Sequence, residues 1–213
     1  MKIMICTIDS IVVYKLADYV SGLFPDAEYY LVSLIEHLKR RILLTKIYKS
    51  TLEKTLDKAQ KNVENIMRKK GVKNIHRHII HDNWRHFLNK FVKKYGIDMI
   101  AISSRTAAEL GTIGSTTEKV IRLANVPVLL YTPSSEIYPL TSSIKILVIN
   151  GAKIPDNIRD LLSKKYKVEV EEKALEDLEG ERITNYDLVV TSKDTLLKKK
   201  IYKKIWAPFI IVP

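Results

Sequence analysis

The sequence predicts an α/β fold: an open, mainly parallel five-stranded sheet with helices on both faces, followed by a smaller α/β second domain. Three observations carry this. Residues 2–9 form a near-continuous apolar run ending in an acid, the pattern of a central parallel strand covered on both faces. Further strand-like apolar runs at 28–35, 72–80, 97–102 and 126–131 are separated by segments of helical period. The tail then echoes the front in the same order. Lys2-Ile3-Met4-Ile5 returns as Lys145-Ile146-Leu147-Val148, Asp98-Met99-Ile100-Ala101 as Asp187-Leu188-Val189-Val190, and Val126-Pro127-Val128-Leu129-Leu130 as Ala207-Pro208-Phe209-Ile210-Ile211. The first part is therefore Rossmann-like, and the tail reads as a shortened copy, with chance similarity of hydrophobic strands as the alternative.

Taken in order, the first strand ends at Asp9-Ser10, on the carboxyl edge where ligands bind in open α/β sheets. Either residue also suits a helix cap. Residues 11–24 are a short helix with apolar Val12, Val13, Leu16, Val20 and Leu23. Pro25-Asp26 turns the chain into the second strand. Residues 38–70 make the longest helical segment, with Leu52, Leu56, Ala59, Val63 and Ile66 on one face and lysines elsewhere. After the third strand, His81-Asp82-Asn83 opens a helix through Lys94, and Gly96 ends it. His76, His78, His81 and His86 raise a metal site as one reading and exposed histidines as the other. Residues 1–133 are expected to form the first domain, 134–143, rich in Ser and Pro, a linker, and 144–213 the second.

Composition bounds the function. With 213 residues, 46% apolar and 28% charged, the chain is expected to be folded and soluble. No apolar run approaches the roughly 20 residues of a membrane helix, and the apolar start is too short for a signal peptide. A cytoplasmic location without a membrane partner is expected. A lone Cys6 within an apolar run makes no internal disulfide and reads as a small core residue. The net charge of +12 is uneven: residues 39–94 hold 17 Lys/Arg against 4 Asp/Glu, or +13, whereas residues 134–213 hold 14 against 12. Such a surface attracts nucleic acid or an anionic membrane face, or is a solvated helix face.

The most informative stretch is Gly114-Ser115-Thr116-Thr117-Glu118-Lys119-Val120-Ile121-Arg122. Small residues lead into a helical pattern, and Glu118 stands three residues after Ser115, as a capping box requires. Such a helix end offers backbone N–H groups, a positive dipole end and hydroxyls to a phosphate. An Asn-Val-Pro-Val-Leu-Leu strand follows. Together these residues resemble the C-terminal signature of the universal stress protein family: glycine, two residues, glycine, nine residues, glycine, then serine or threonine. The second half of that signature is intact. Ser103 and Thr106 replace its first two glycines, the gap to Gly114 is two residues shorter, and His81 replaces a usual glycine.

The resemblance implies ATP or a related adenine nucleotide as ligand, with Mg²⁺ as a possible companion. Asp9 and Leu34 would hold the ribose and base, the loop of Ile102, Ser103, Arg105 and Thr106 would flank the phosphates, and Gly114, Ser115, Thr116 and Thr117 would seat them. Arg105 would serve the phosphates or simply lie on the surface. Such proteins act mostly as nucleotide-gated regulators with weak or no hydrolysis. They commonly dimerise through their last strands, so the strand at 126–131 is expected to pair either in a homodimer or with 208–212 of the same chain. Covering so apolar an edge has a physical motive. The tail loses the Gly-Ser-Thr-Thr turn, and Asp9 corresponds there to Ala152. The competing reading is a decayed pocket on an interaction module that meets nucleic acid or protein through its basic helices. No Walker-type or nucleophile-elbow motif supports an enzyme.

Overall fold

The computed structural model describes residues 1–36, 46–104, 113–133, 135, 142–178, 183–203 and 205–213. The first half runs β1 (Lys2–Cys6), α1 (Ile11–Leu23), β2 (Glu28–Ile35), α2 (Lys46–Lys69), β3 (Ile75–His81), α3 (Trp84–Tyr95), β4 (Met99–Ser103), α4 (Ser115–Leu123) and β5 (Val128–Tyr131). The second half follows as β6 (Ser143–Ile149), α5 (Asp156–Lys165), β7 (Lys167–Lys173), β8 (Leu188–Ser192), α6 (Lys193–Lys199) and β9 (Phe209–Val212).

Alternation along the strands builds two cores. Ile3 and Ile5 of β1 face one side of the sheet with α1, α2 and α5, while Met4 and Cys6 face the other with α3, α4 and α6. On α2 the inner positions are Leu56, Ala59, Val63 and Met67; Met67, rather than the expected Ile66, takes the last of them. Val63 and Met67, fully buried, each contribute about 1.5–3 kcal/mol of transfer free energy.

The expected five-stranded sheet and separate second domain are joined into one sheet of nine strands among the described residues, in the order β3-β2-β1-β4-β5-β9-β8-β6-β7. Neighbours are parallel except at the centre, where β5 and β9 pair antiparallel through Val128–Ile211, Leu129–Ile210 and Leu130–Phe209. The last strand of each half thus covers the other's apolar edge within one chain. The remaining edges, β3 and β7, are rich in His, Arg, Lys and Glu, which discourages further pairing.

The two halves share local chemistry. The Lys2 backbone N–H donates to Asp98 Oδ2 at 2.7 Å, and the Lys145 N–H donates to Asp187 Oδ2 at 2.8 Å. In return the backbone N–H groups of Asp98 and Asp187 donate to the carbonyls of Lys2 and Lys145 at 2.9 Å. Ile100 and Val189 donate to Pro127 and Pro208 at 3.0 and 2.9 Å. The residues matched in sequence occupy matched places in the sheet.

Several boundaries differ from expectation. Ser10, not Asp9, caps α1 by accepting from the Val12 N–H at 3.4 Å. The third strand starts at Ile75, with Val72 buried in the preceding turn. The first part of the expected helical segment, 38–45, lies outside the described residues, as do 134 and 136–141 of the expected linker. Gly96 terminates α3 in the left-handed region, φ 64°, as a helix-ending glycine does.

The histidines find partners other than a metal. His76 meets Glu28 at 3.0 Å and stacks on Tyr30, His81 meets Glu53 at 2.8 Å, and His78 packs among Tyr30, Phe91 and Tyr95. Among the described residues no group of three or more His, Cys, Asp or Glu is placed to hold a metal, and no helix is long and apolar enough to cross a membrane.

Candidate functional site

The carboxyl ends of β1, β2 and β4 and the N-terminus of α4 enclose a cleft of about 360 Å³. β1 and the turn after it supply Cys6, Thr7 and Ile8; β2 supplies Val32, Leu34 and, just beyond, Glu36. β4 supplies Ile102 and Ser103, α3 supplies Trp84, and Gly114, Ser115, Thr116 and Thr117 close the far side. One wall is apolar and the other is a helix end lined with hydroxyls.

The helix end differs from its sequence expectation. Gly114 is the N-cap, with φ −57° and ψ 145°, and no side chain caps it. The anticipated capping box between Ser115 and Glu118 does not form, because Ser115 is already the first helical residue and Glu118 pairs with Arg122 at 2.7 Å. Ser115 and Thr116 are exposed and keep their hydroxyls at the cleft, whereas Thr117 is buried and donates to the Ser103 carbonyl at 3.1 Å. Ser104, fully buried, accepts from the Gly114 N–H at 3.3 Å. These two bonds tie α4 to the end of β4. Without a side-chain cap, the first-turn N–H groups and their partial positive charge face the cleft.

The opposite rim carries an acid. Glu36 accepts from Lys119 Nζ at 3.1 Å and from the Trp84 backbone N–H at 3.5 Å, bridging β2, α3 and α4. The floor is held from behind by buried Gln60 of α2. Its amide donates to the His78 carbonyl at 2.8 Å and to Ser33 Oγ at 3.0 Å, and Ser33 and Thr7 share a 2.8 Å hydrogen bond. Satisfied buried polar groups of this kind fix the strand ends. Burial pushes the Cys6 thiol up, which favours its protonated form.

Seven of the sequence-nominated residues, Leu34, Ile102, Ser103, Gly114, Ser115, Thr116 and Thr117, line the cleft. Asp9 does not. Its exposed carboxylate instead accepts from Tyr14 OH at 2.6 Å, whose oxygen accepts from Asn62 at 3.3 Å, so Asp9 is engaged by α1 and α2. Arg105 and Thr106 lie outside the described residues. Sequence reasoning missed Cys6, Thr7, Ile8, Val32, Glu36 and Trp84. The carboxyl-edge rule that singled out Asp9 applies equally to the three residues before it, and strand alternation from Leu34 points to Val32.

A model described as "Universal stress protein family" matches residues 11–132, more than half of the chain. The chain belongs to the universal stress protein family. A universal stress protein from Archaeoglobus fulgidus DSM 4304 is 15% identical with a TM-score of 0.66, the match covering 99% of this chain and 95% of that one. A functionally unknown protein from Pseudomonas aeruginosa PAO1 is 13% identical with a TM-score of 0.56, covering 99% and 92%. Both likenesses extend through β6–β9, so the two-part sheet recurs, and at such identities they speak to fold alone. No curated protein sequence matches. This family member therefore keeps the helix-end half of its signature at a formed cleft and replaces the glycines that precede it.

Proposed function

We propose that residues 1–133 bind ATP or a related adenine nucleotide in the β1–β2–β4–α4 cleft, and that the protein acts as a nucleotide-gated regulator rather than as an enzyme of rapid turnover. The observation that carries this reading is the uncapped N-terminus of α4 facing a cleft whose other wall is apolar. An anion and a flat apolar ring need those two surfaces side by side. Val32, Leu34, Ile102 and Trp84 would receive the base side. The first-turn N–H groups of α4 with Ser115 and Thr116 would hold phosphate, and a magnesium ion bound with the nucleotide would offset its charge. Ser103 is a small residue at the wall, so loss of the family glycine there leaves the cleft open. Glu36 is neutralised at the rim by Lys119.

The test is a titration with ATP and Mg²⁺, followed by thermal shift and by Trp84 fluorescence, in the parent and in Gly114→Asp. An acid at an N-cap supports a helix, so the variant keeps its fold while placing negative charge on the phosphate seat. A rise in melting temperature in the parent that disappears in the variant supports the reading. Absence of any response at millimolar ATP would leave the decayed-pocket interaction module in its place.

A further inference from the structure

We propose that the helical layer α3–α4–α6 is a docking face for the phosphate backbone of duplex nucleic acid, read without base specificity. This face does not depend on the nucleotide reading. The basic excess that looks continuous in sequence is split by the sheet: α2 covers one side and α3 the other. On the α2 side acids are interleaved with the cations, and several cations are paired with them. Lys61 meets Asp57 at 2.8 Å, Arg68 meets Glu64 at 2.7 Å, Lys70 meets Asp18 at 3.0 Å, and Arg77 meets Asp57 and Glu64 at 3.2 and 3.4 Å.

The other side is different. α3, of sequence WRHFLNKFVKKY, contains four Lys/Arg and no acid. Its inward positions are Trp84, Phe87, Leu88, Phe91 and Val92, which turns Arg85, Lys90, Lys93 and Lys94 to solvent. Arg85, Lys90 and Lys93 have no acid within ion-pair distance among the described residues.

The fold extends this stripe with residues distant in sequence. Asn89 of α3 donates to the Leu123 carbonyl at 3.1 Å, and Lys193 of α6 donates to the next carbonyl, Ala124, so both helices clasp the C-terminal end of α4. Lys198, Lys200 and Lys203 are exposed on and just after α6, Lys198 paired with Asp194 at 3.0 Å. Between α3 and α4 runs a groove of about 460 Å³ lined by Arg85, His86, Lys119 and Arg122, with Glu36 and Asn83.

Two features choose the partner. Cations without acid partners along a helix of about 18 Å match a regular row of phosphates. No described aromatic residue is exposed, so the face lacks the stacking platform by which single strands are held. What remains is backbone contact, which positions a duplex without reading it.

The experiment is fluorescence anisotropy of the full chain with labelled duplexes of about 20 bp, DNA and RNA in separate arms, at about 50 and 200 mM salt. A single strand of the same length and polyglutamate serve as comparisons. If about four phosphates are engaged, affinity falls roughly 100-fold over that salt range. Arg85→Gln/Lys90→Gln/Lys93→Gln should leave a dependence of only about 4-fold. Lys49→Gln/Lys54→Gln/Lys58→Gln removes the same charge from α2 and should keep the parent dependence. The DNA and RNA arms say which duplex is preferred. No binding at the lower salt, equal loss in the two triple variants, tighter binding of the single strand, or equal capture of polyglutamate would each overturn the proposal.

Discussion

The two halves of the sheet begin alike and differ in how the helices after β4 and β8 start. In the first half, ten residues separate Ser103, the last of β4, from Gly114, and α4 then starts with no side-chain cap. In the second half α6 starts directly after β8. Its N-cap is Ser192, whose hydroxyl accepts from the Thr195 N–H at 3.2 Å and lies 2.9 Å from Thr195 Oγ1. One helix end has no side-chain cap; the other is capped by its own chain. The second half also lacks counterparts of α2, β3 and α3 among the described residues, and so lacks the far wall of a cleft. A repeat can keep its strands, which serve the fold, while losing the turn between β4 and its helix.

The strand pairing that unites the halves should show the largest effect. Phe209 is fully buried where β9 meets both β5 and β8. Phe209→Ala should cost about 3–5 kcal/mol and lower the melting temperature by roughly 10 °C. Trp84 reports the first half and Trp206 the second, so single-tryptophan versions should unfold at one common temperature. Two separated transitions would show that the halves are independent units that merely touch.

Next come the matched acids. Asp98→Ala and Asp187→Ala each remove a charge-assisted bond to a strand N–H, that of Lys2 in β1 and of Lys145 in β6, and each should cost about 2 kcal/mol. Equal losses in chemical denaturation would extend the equivalence of the halves from geometry to energy. A cost confined to Asp98 would mean that the second copy keeps the contact without depending on it.

Acid should separate the halves. Burial, then the neighbouring charges of His76 and Lys94, hold His78 below its ordinary value of 6.5, among Tyr30, Phe91 and Tyr95. The unfolded chain therefore takes up this proton first, so the contribution of neutral His78 is full above about pH 6.5 and is lost as the pH falls. His78→Phe should flatten that limb of the stability profile; an unchanged limb would place the acid sensitivity elsewhere. The second half has no counterpart of β3 among the described residues and no histidine. There Glu171 is held at about 2 by the Tyr186 hydroxyl and Lys173, well below the window in which His78 titrates.

These differences explain what could be read from the sequence. β1, β2, β4 and the halves' closing strands were legible because each is an apolar run bounded by breakers, and their pairing because two apolar edges in one chain need cover. The helix-end half of the cleft was legible because Gly114–Thr117 is a local motif. Asp9 stands outside the cleft lining because its partners, Tyr14 and Asn62, come together only when α1 packs on α2. Glu36 and Trp84 were missed for the converse reason. Each follows or opens an element unremarkably, and only the approach of β2, α3 and α4 makes them a rim. The cap of α4 shifted by one residue because Glu118 had a competing partner four residues on, in Arg122, that local pattern matching does not weigh.

The smallest effect probes the comparison most directly. Ser192→Ala opens the cap of α6 and should cost about 1 kcal/mol, or roughly 2–4 °C. Gly114→Ser supplies α4 with the hydroxyl that α6 already has, at a backbone conformation any residue tolerates, and should gain only a few tenths of a kcal/mol. The opposite signs matter more than the sizes. If α4 is left uncapped to serve a phosphate, Gly114→Ser makes the free protein slightly more stable while lowering its response to ATP, since the added oxygen competes for the same N–H groups. If the new hydroxyl stabilises the helix and ATP still raises the melting temperature as in the parent, the first-turn N–H groups are not the seat, and the apolar wall of the cleft must supply the affinity.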